Sequence, residues 1–309
     1  MTVRMKPERS KVWIEKVENI FSYDEIKKVL FGILDNFRDV VDAKPKTTTL
    51  IKVNLCLLKG PETGATVDPR VVRALVEWLI SNYDFKKIYL AEADATHLDA
   101  EMAFKILGWR ELFRDMAQVD FFNLSKDEKV SVPGCYIRNL EMSRKMMETD
   151  LSISFAKLKT HTQQKITCIM KNQFGAIPHK YKIIYHPKLA ETIYDATAAR
   201  VPDLCIIDGL ISMEGNGPTN GIPRRTKLLL ASNDPISMDH CCARIMGFNP
   251  SSVPHLKLAA NNGLGSTHYE ICGTPPDPLN LRFKFLPKWK EIVKKGIGMV
   301  QKGTINEEA

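Results

Sequence analysis

Short apolar runs rich in β-branched residues recur along the chain, and stretches with helical spacing separate most of them. Parallel strands must return by a crossover, so this alternation is the pattern of an α/β protein: a mostly parallel twisted sheet with flanking helices. The runs predict strands over 11–17, 48–54, 87–92, 120–123, 151–155, 204–208 and 227–231. Their continuous apolar character suits burial on both faces. Asp68-Pro69 opens a helix over 71–80 and Asp234-Pro235 one over 236–246; each start offers an N-cap acceptor followed by a proline that needs no N–H. Val253-Pro254 opens another over 255–262, closed by Gly263.

Residues 1–273 are expected to form the α/β unit. The polar stretch 126–139, with Pro133-Gly134, reads as a small hairpin and marks the boundary if the sheet divides into two lobes with a crevice. Prolines 275, 276 and 278 stiffen the chain after Gly273, so 274–309 reads as a linker and tail. In that tail Trp289, Ile292, Val293, Ile297 and Val300 share a helical face opposite lysines. This basic amphipathic helix over 287–300 either docks on its own domain or a dimer contact, or makes a peripheral contact with an anionic membrane.

No apolar run approaches the roughly 20 residues of a membrane span. The N-terminus lacks a secretory pattern. A cytoplasmic protein, at most peripheral to a membrane, is expected. The seven cysteines include no Cys-x-x-Cys pair, so free thiols are expected and an intrinsic iron–sulfur cluster is not. A net charge of +8 favours anionic partners. Because the basic residues mostly lack interleaved aromatics, the expected partner is a small anionic ligand and not a specific nucleic acid.

The chemistry-bearing residues cluster behind the strand over 151–155, where a parallel sheet presents its ligands. Lys157, Lys159, Thr160 and His161 follow that strand directly. A helix is predicted over 163–174, with Ile166, Ile169, Met170 and Phe174 on one face and Thr167, Cys168, Lys171 and Asn172 on the other. Gln173 falls in the apolar arc, which requires either a buried partner or a different helix phase. Together these residues make a cationic wall for a carboxylate or phosphate, with His161 and Lys171 as catalytic candidates and His186 as a further acid or base. The competing reading is a solvated lysine face and packed histidines.

Other strand ends add Lys52 and Asn54, and the helix start adds Arg70, all candidate anion ligands. The loop 211–223 carries Gly215 and Gly217, whose backbone N–H groups can approach a ligand closely. Asp68, Glu92, Asp208 and Glu214 are the carboxylates available to a divalent metal, although helix capping alone explains Asp68.

In this order the residues resemble the family designated domain of unknown function 362. The likeness rests on Lys157-Leu158-Lys159-Thr160-His161 with Lys171-Asn172, and extends through Ile51-Lys52-Val53-Asn54, Asp68-Pro69-Arg70, Tyr185-His186, Ile207-Asp208-Gly209, the stretch from Met213 to Pro218, and Asn233-Asp234-Pro235 with Asp239. Some members of that family carry a ferredoxin-type module, for which this chain lacks the cysteines. His161 followed ten residues later by Lys171 is also similar to the lactate racemase family, whose lysine tethers a nickel-pincer nucleotide. Ile169-Met170 stand where that family has Gly-Gly, so this likeness implies the location of a site and not the nickel cofactor.

The expectation is an enzyme acting on a small carboxylate- or phosphate-bearing metabolite, with isomerase- or racemase-like proton transfer as its most concrete form. The alternative is a non-catalytic nucleotide or anionic-cofactor binding protein, peripheral to a membrane. A divalent metal or nucleotide-type cofactor is compatible with either.

Overall fold

The computed structural model describes residues 10–285. The expected tail helix over 287–300 lies outside the described residues. The strands are β1 (Ser10–Lys16), β2 (Thr48–Lys52), β3 (Lys87–Glu92), β4 (Val119–Asn123), β5 (Lys129–Val132), β6 (Leu140–Ser143), β7 (Leu151–His161), β8 (Lys165–Ile166), β9 (Leu204–Glu214), β10 (Ile222–Ser232) and β11 (Tyr269–Gly273). The helices are α1 (Tyr23–Leu34), α2 (Arg38–Asp42), α3 (Pro69–Asn82), α4 (Ala100–Ile106), α5 (Trp109–Leu112), α6 (Arg144–Glu148), α7 (Cys168–Gly175), α8 (Leu189–Ala199), α9 (Pro235–Met246) and α10 (Pro254–Asn261).

One nine-stranded sheet runs β11-β1-β10-β9-β7-β2-β3-β4, with β8 paired to β7. Along this path only β10 runs against the others. The chain moves from β2 to β3 and β4 on one side, and from β7 to β9 and β10 on the other. The gap between β2 and β7 is therefore a topological switch point, where open α/β sheets form a crevice beyond their carboxyl ends.

Side chains alternate between two cores. Ile153 and Phe155 of β7 pack with Ile26 and Leu30 of α1 and Val72 and Leu75 of α3. Ala156 and Leu158 face the other way, toward Ile169 and Met170 of α7, Ile193 of α8 and Met238 of α9. Fully burying each Ile, Leu or Phe stabilises by roughly 1.5–3 kcal/mol. That packing carries β7 well past the expected end of its strand.

Indeed β7 and β9 both outrun their predicted limits of 155 and 208. Lys157 stands opposite Asp208 in the ladder, and their ion pair closes at 2.8 Å with both side chains fully buried. The charges cancel within the sheet, so neither ends its strand. The predicted loop over 211–223 is correspondingly shorter: Met213 and Glu214 are still in β9, and β10 begins at Ile222.

The helix predicted over 163–174 starts later, at Cys168. Residues before it turn back so that Ile166 pairs with Thr160 and Lys165 with His161. Ile166 and Thr167 therefore do not belong to the helical faces assigned from spacing. The entry is unusual, because Cys168 has a φ of 44° and Thr167 makes no capping bond. Asp239, on α9, supplies the cap instead, accepting the N–H groups of Ile169 at 2.7 Å and Met170 at 2.9 Å. Gln173 is buried and donates to the Arg200 carbonyl at 2.9 Å. The polar stretch near 126–139 forms the β5–β6 hairpin, whose connecting loop is held by the Asp195 carboxylate through the N–H groups of Cys135, Tyr136 and Ile137.

Candidate functional site

A cavity of about 390 Å³ opens at the carboxyl ends of β2, β3 and β7, beside the switch point. Its lining includes Lys52 and Asn54 from the end of β2, Glu92 from β3, Lys159 and His161 from β7, and Thr167, Lys171 and Gly175 from the start and end of α7. Lys180, Lys182, Ile183 and His186 close it from the segment after α7. The structure thus brings together eight of the residues singled out from sequence: Lys52, Asn54, Glu92, Lys159, His161, Thr167, Lys171 and His186.

Positive charge dominates this wall. Among the described residues Lys52, Lys159, Lys171, Lys180 and Lys182 line it against a single carboxylate, Glu92. Glu92 is already engaged: its Oε1 lies 2.6 Å from Lys52 Nζ, and it also accepts the Leu55 and Ala93 N–H groups. Lys159 is fully buried, and its Nζ reaches the Ala65 carbonyl at 2.5 Å and Cys56 Sγ at 3.2 Å. A ladder irregularity between Lys157 and Lys159 turns the two lysines to different partners.

Lys171 is half-buried, with its Nζ 4.0 Å from the centre of the Phe174 ring. Among the described residues no carboxylate lies within ion-pair distance of it. Burial, then the charges of Lys159 and Lys182, bring its amine down to about 7. Burial likewise brings Lys182 down to about 8, although its Nζ donates to the Asp94 carbonyl. Both lysines hold their protons weakly near neutral pH.

The two histidines differ. His161 is 7% exposed, and its Nδ1 accepts the N–H groups of Gln163 and Gln164, each at 3.2 Å. A nitrogen that accepts carries no proton, so the neutral ring has its proton on Nε2. Burial, then Lys171 and Lys159, hold its pKa well below the usual histidine value, so the ring stays neutral. In the neutral ring Nε2–H can therefore donate a hydrogen bond, and Nε2 is not free to take a proton. His186 sits at the exposed mouth, also shifted down, by burial and Lys171.

Among the described residues two buried oxygens on the wall lack partners: Asn54 Oδ1 and Thr167 Oγ1. Buried polar atoms are normally satisfied, so both are acceptors open to a polar group entering the cavity.

The remaining sequence candidates lie elsewhere. Lys157 and Asp208 form the buried pair beneath α3, and Asp208 also accepts the Asp68 N–H at 2.7 Å. Asp68 caps α3 and holds Arg70, whose guanidinium also donates to the Ile20 carbonyl and not to the cavity. Asn172 stands behind the wall, accepting from Lys52 Nζ and Asn54 Nδ2 and donating to the Lys52 carbonyl. Thr160 donates to the Gly215 carbonyl at 3.1 Å. Gly217 packs so tightly against the Thr160 carbonyl that a Cβ there would come within 2.0 Å of it. Gly215 donates its N–H to Lys284, and Glu214 pairs with Arg224 at 2.9 Å. Both hairpin glycines thus make close contacts within the chain, next to Pro218 and Thr219 on the cavity wall.

The four carboxylates proposed for a metal do not converge, and among the described residues no group of three or more His, Cys, Asp or Glu is placed to hold one. Ile169 and Met170, fully buried with their N–H groups on Asp239, give no open backbone beside Lys171.

Sequence reasoning missed Lys182, Cys56 and His97, all on the cavity wall. Lys182 had one signal: it sits with Ile183 and Ile184 in a basic stretch too apolar to be an ordinary solvated loop.

The family model described as domain of unknown function (DUF362) matches residues 49–244, more than half the chain. The thylakoid-associated protein sll1697 of Synechocystis sp. is 29% identical over 237 residues, covering 74% of this chain and 72% of that protein. The lactate racemase apoprotein from Thermoanaerobacterium thermosaccharolyticum superposes with a TM-score of 0.40 and 14% identity, over 78% of this chain and 57% of that one. This chain therefore spans less than two thirds of that structure's length. Because the family model covers residues 49–244, more than half of the chain and the core of its sheet, the chain belongs to the DUF362 family.

Proposed function

We propose that the chain is an enzyme acting on a small carboxylate-bearing metabolite, in a reaction that moves a proton at a carbon near the carboxylate. The observation carrying this reading is the charge imbalance: five lysines and one glutamate line the cavity, and that glutamate is spent on Lys52. An enclosed wall of this kind binds an anion strongly, because its charges are poorly screened. Lys159 and Lys182 would hold the carboxylate. His161 Nε2–H would stabilise the oxyanion that develops, and His186 has a neutral imidazole to accept the proton.

Thermal unfolding of the purified protein against a panel of small carboxylates and phosphates tests this. A carboxylate at a hundred times its dissociation constant is expected to stabilise by about 2.7 kcal/mol. Lys159→Met should remove the effect. A panel in which no anion raises the midpoint, or in which Lys159→Met responds as the parent does, overturns the reading.

A second reading concerns location. Tyr181, Ile183 and Ile184 are exposed by 55%, 66% and 56% at the cavity mouth, beside exposed Lys180 and Lys188. An apolar rim set among lysines suits an anionic membrane surface. No helix of the described residues is long and apolar enough to cross a membrane. The thylakoid-associated relative favours peripheral contact. Flotation with anionic vesicles should be lost in Ile183→Asp/Ile184→Asp; equal flotation of parent and variant rejects this rim.

A further inference from the structure

We propose that Lys171 is a nucleophile that forms an imine with the carbonyl carbon of a 2-oxo acid whose carboxylate is held by Lys159. This rests on the anion-binding reading above and names its substrate class.

The geometry sets Lys171 apart from other lysines of the wall. Lys52 has Glu92, Lys159 has the Ala65 carbonyl and Lys182 has the Asp94 carbonyl. Lys171 has the Phe174 ring and, among the described residues, no carboxylate. A lysine that is half-buried, unpaired and beside another cation loses its proton readily, and the free amine is the nucleophilic form. Its amine, brought down to about 7, agrees with that placement. The base role proposed for His186 leaves this amine free for addition.

The atoms balance without an oxidant or reductant. The nitrogen lone pair of Lys171 attacks the ketone carbon, and the carbonyl π electrons move onto oxygen, where His161 Nε2–H stabilises the charge. His186 takes a proton from the new ammonium and delivers it to that oxygen, giving a carbinolamine. Its hydroxyl can be received by the orphaned Asn54 Oδ1 or Thr167 Oγ1. The remaining nitrogen proton passes through His186 to the hydroxyl, which leaves as water, and the C=N bond forms. Amine and ketone become imine and water. The imine, once protonated, withdraws electrons from the adjacent carbon, which is what proton removal there requires.

A carboxylate is favoured over a phosphate by what the cavity lacks. Phosphate sites typically use the free N–H groups of a helix start. The first N–H groups of α7 are occupied by the buried Asp239 carboxylate. The available donors are lysine ammonium groups and an imidazole, which suit a carboxylate and a neighbouring oxygen.

Incubation of the purified full chain with pyruvate and sodium cyanoborohydride at pH 7, followed by intact-mass measurement and peptide mapping, tests the proposal. Surface lysines keep their protons at this pH, so one reduced pyruvate per chain, mapped to residue 171, is expected. Labelling should disappear in Lys171→Met, persist in Lys188→Met, and slow by about tenfold or more in Lys159→Met through loss of a charged hydrogen bond. Mapping in the parent protein remains decisive if Lys171→Met fails to fold. Calorimetric titration with pyruvate, without reductant, runs alongside. Binding without an adduct at residue 171 overturns the imine and leaves the anion-binding reading standing. No binding and no adduct overturns both, and adducts spread evenly over lysines also overturn the imine.

Discussion

His161 Nδ1 accepts the backbone N–H of Gln164 at 3.2 Å, and this bond decides what the imidazole can do. The turn from β7 to β8 closes on the ring, with Gln163 donating to the same nitrogen. Among histidines, the one that looked most like a base from sequence is thereby fixed as a donor. Nitrogen NMR of histidine-labelled protein should show a neutral ring with its proton on Nε2 at pH 7. Its pKa is lowered by burial and by Lys171 and Lys159, so protonation should begin only well below the ordinary 6.5. A normal midpoint, or a proton on Nδ1, contradicts the assignment.

The Lys157–Asp208 pair predicts an asymmetry between single and double substitutions. Asp208→Asn leaves a fully buried lysine without its countercharge and should cost about 3–5 kcal/mol in urea unfolding. Lys157→Met with Asp208→Leu removes both charges. It still strands the Asp68 and Leu210 N–H groups that Asp208 accepts, so a residual loss of about 1–3 kcal/mol should remain. A double variant as unstable as the single one shows that the pair is not the source of the cost.

The same pair explains where sequence reading stopped short. Apolar runs located the parallel strands because continuous Val, Ile and Leu have few other uses. The limits failed at Lys157 and Asp208, residues that look solvent-facing until a partner from a strand about fifty positions away cancels their charge. Spacing placed Lys171 and Phe174 on a helix correctly. It failed at residues 163–167, where the hairpin depends on His161 and the helix start on Asp239, neither visible in a local window. Wall residues at strand ends were legible, since parallel sheets present ligands there. The sequence alone could not show that Thr160 of the chain itself approaches Gly215 and Gly217 closely, because such an approach looks there the same as one by a ligand.

Asp239 should matter to α7 far more than an ordinary helix residue. Burial pushes its carboxyl up to about 8, while the Ile169 and Met170 N–H groups pull the other way. Asp239→Ala removes both acceptors at a buried helix start and should cost about 1–3 kcal/mol. Hydrogen exchange should quicken at residues 169 and 170 before it does in β7. Unchanged exchange there, with a stable fold, would mean that water replaces the carboxylate without loss.

Lys171 should lower the stability of the fold around neutral pH. Its amine stands at about 7 in the folded chain against an ordinary 10.5, because burial disfavours the charge. Between these values the unfolded chain holds more protons than the folded one, so stability from this group rises with pH across that window. Below about 7 both states are protonated and the penalty is complete. A full shift would be worth roughly 1.4 kcal/mol per unit, and partial exposure of the side chain reduces the total to about 1–3 kcal/mol. Lys171→Met should therefore be the more stable protein at pH 7 by about that amount, and the two should converge as pH approaches 10. Lys182 titrates nearby and its charge is coupled to that of Lys171, so the difference reports Lys171 together with that coupling. Urea unfolding of parent and variant at intervals from pH 6 to 10 reads this directly. A constant difference across the range would show that Lys171 keeps its proton in the folded chain, and the free amine on which the imine depends would be absent.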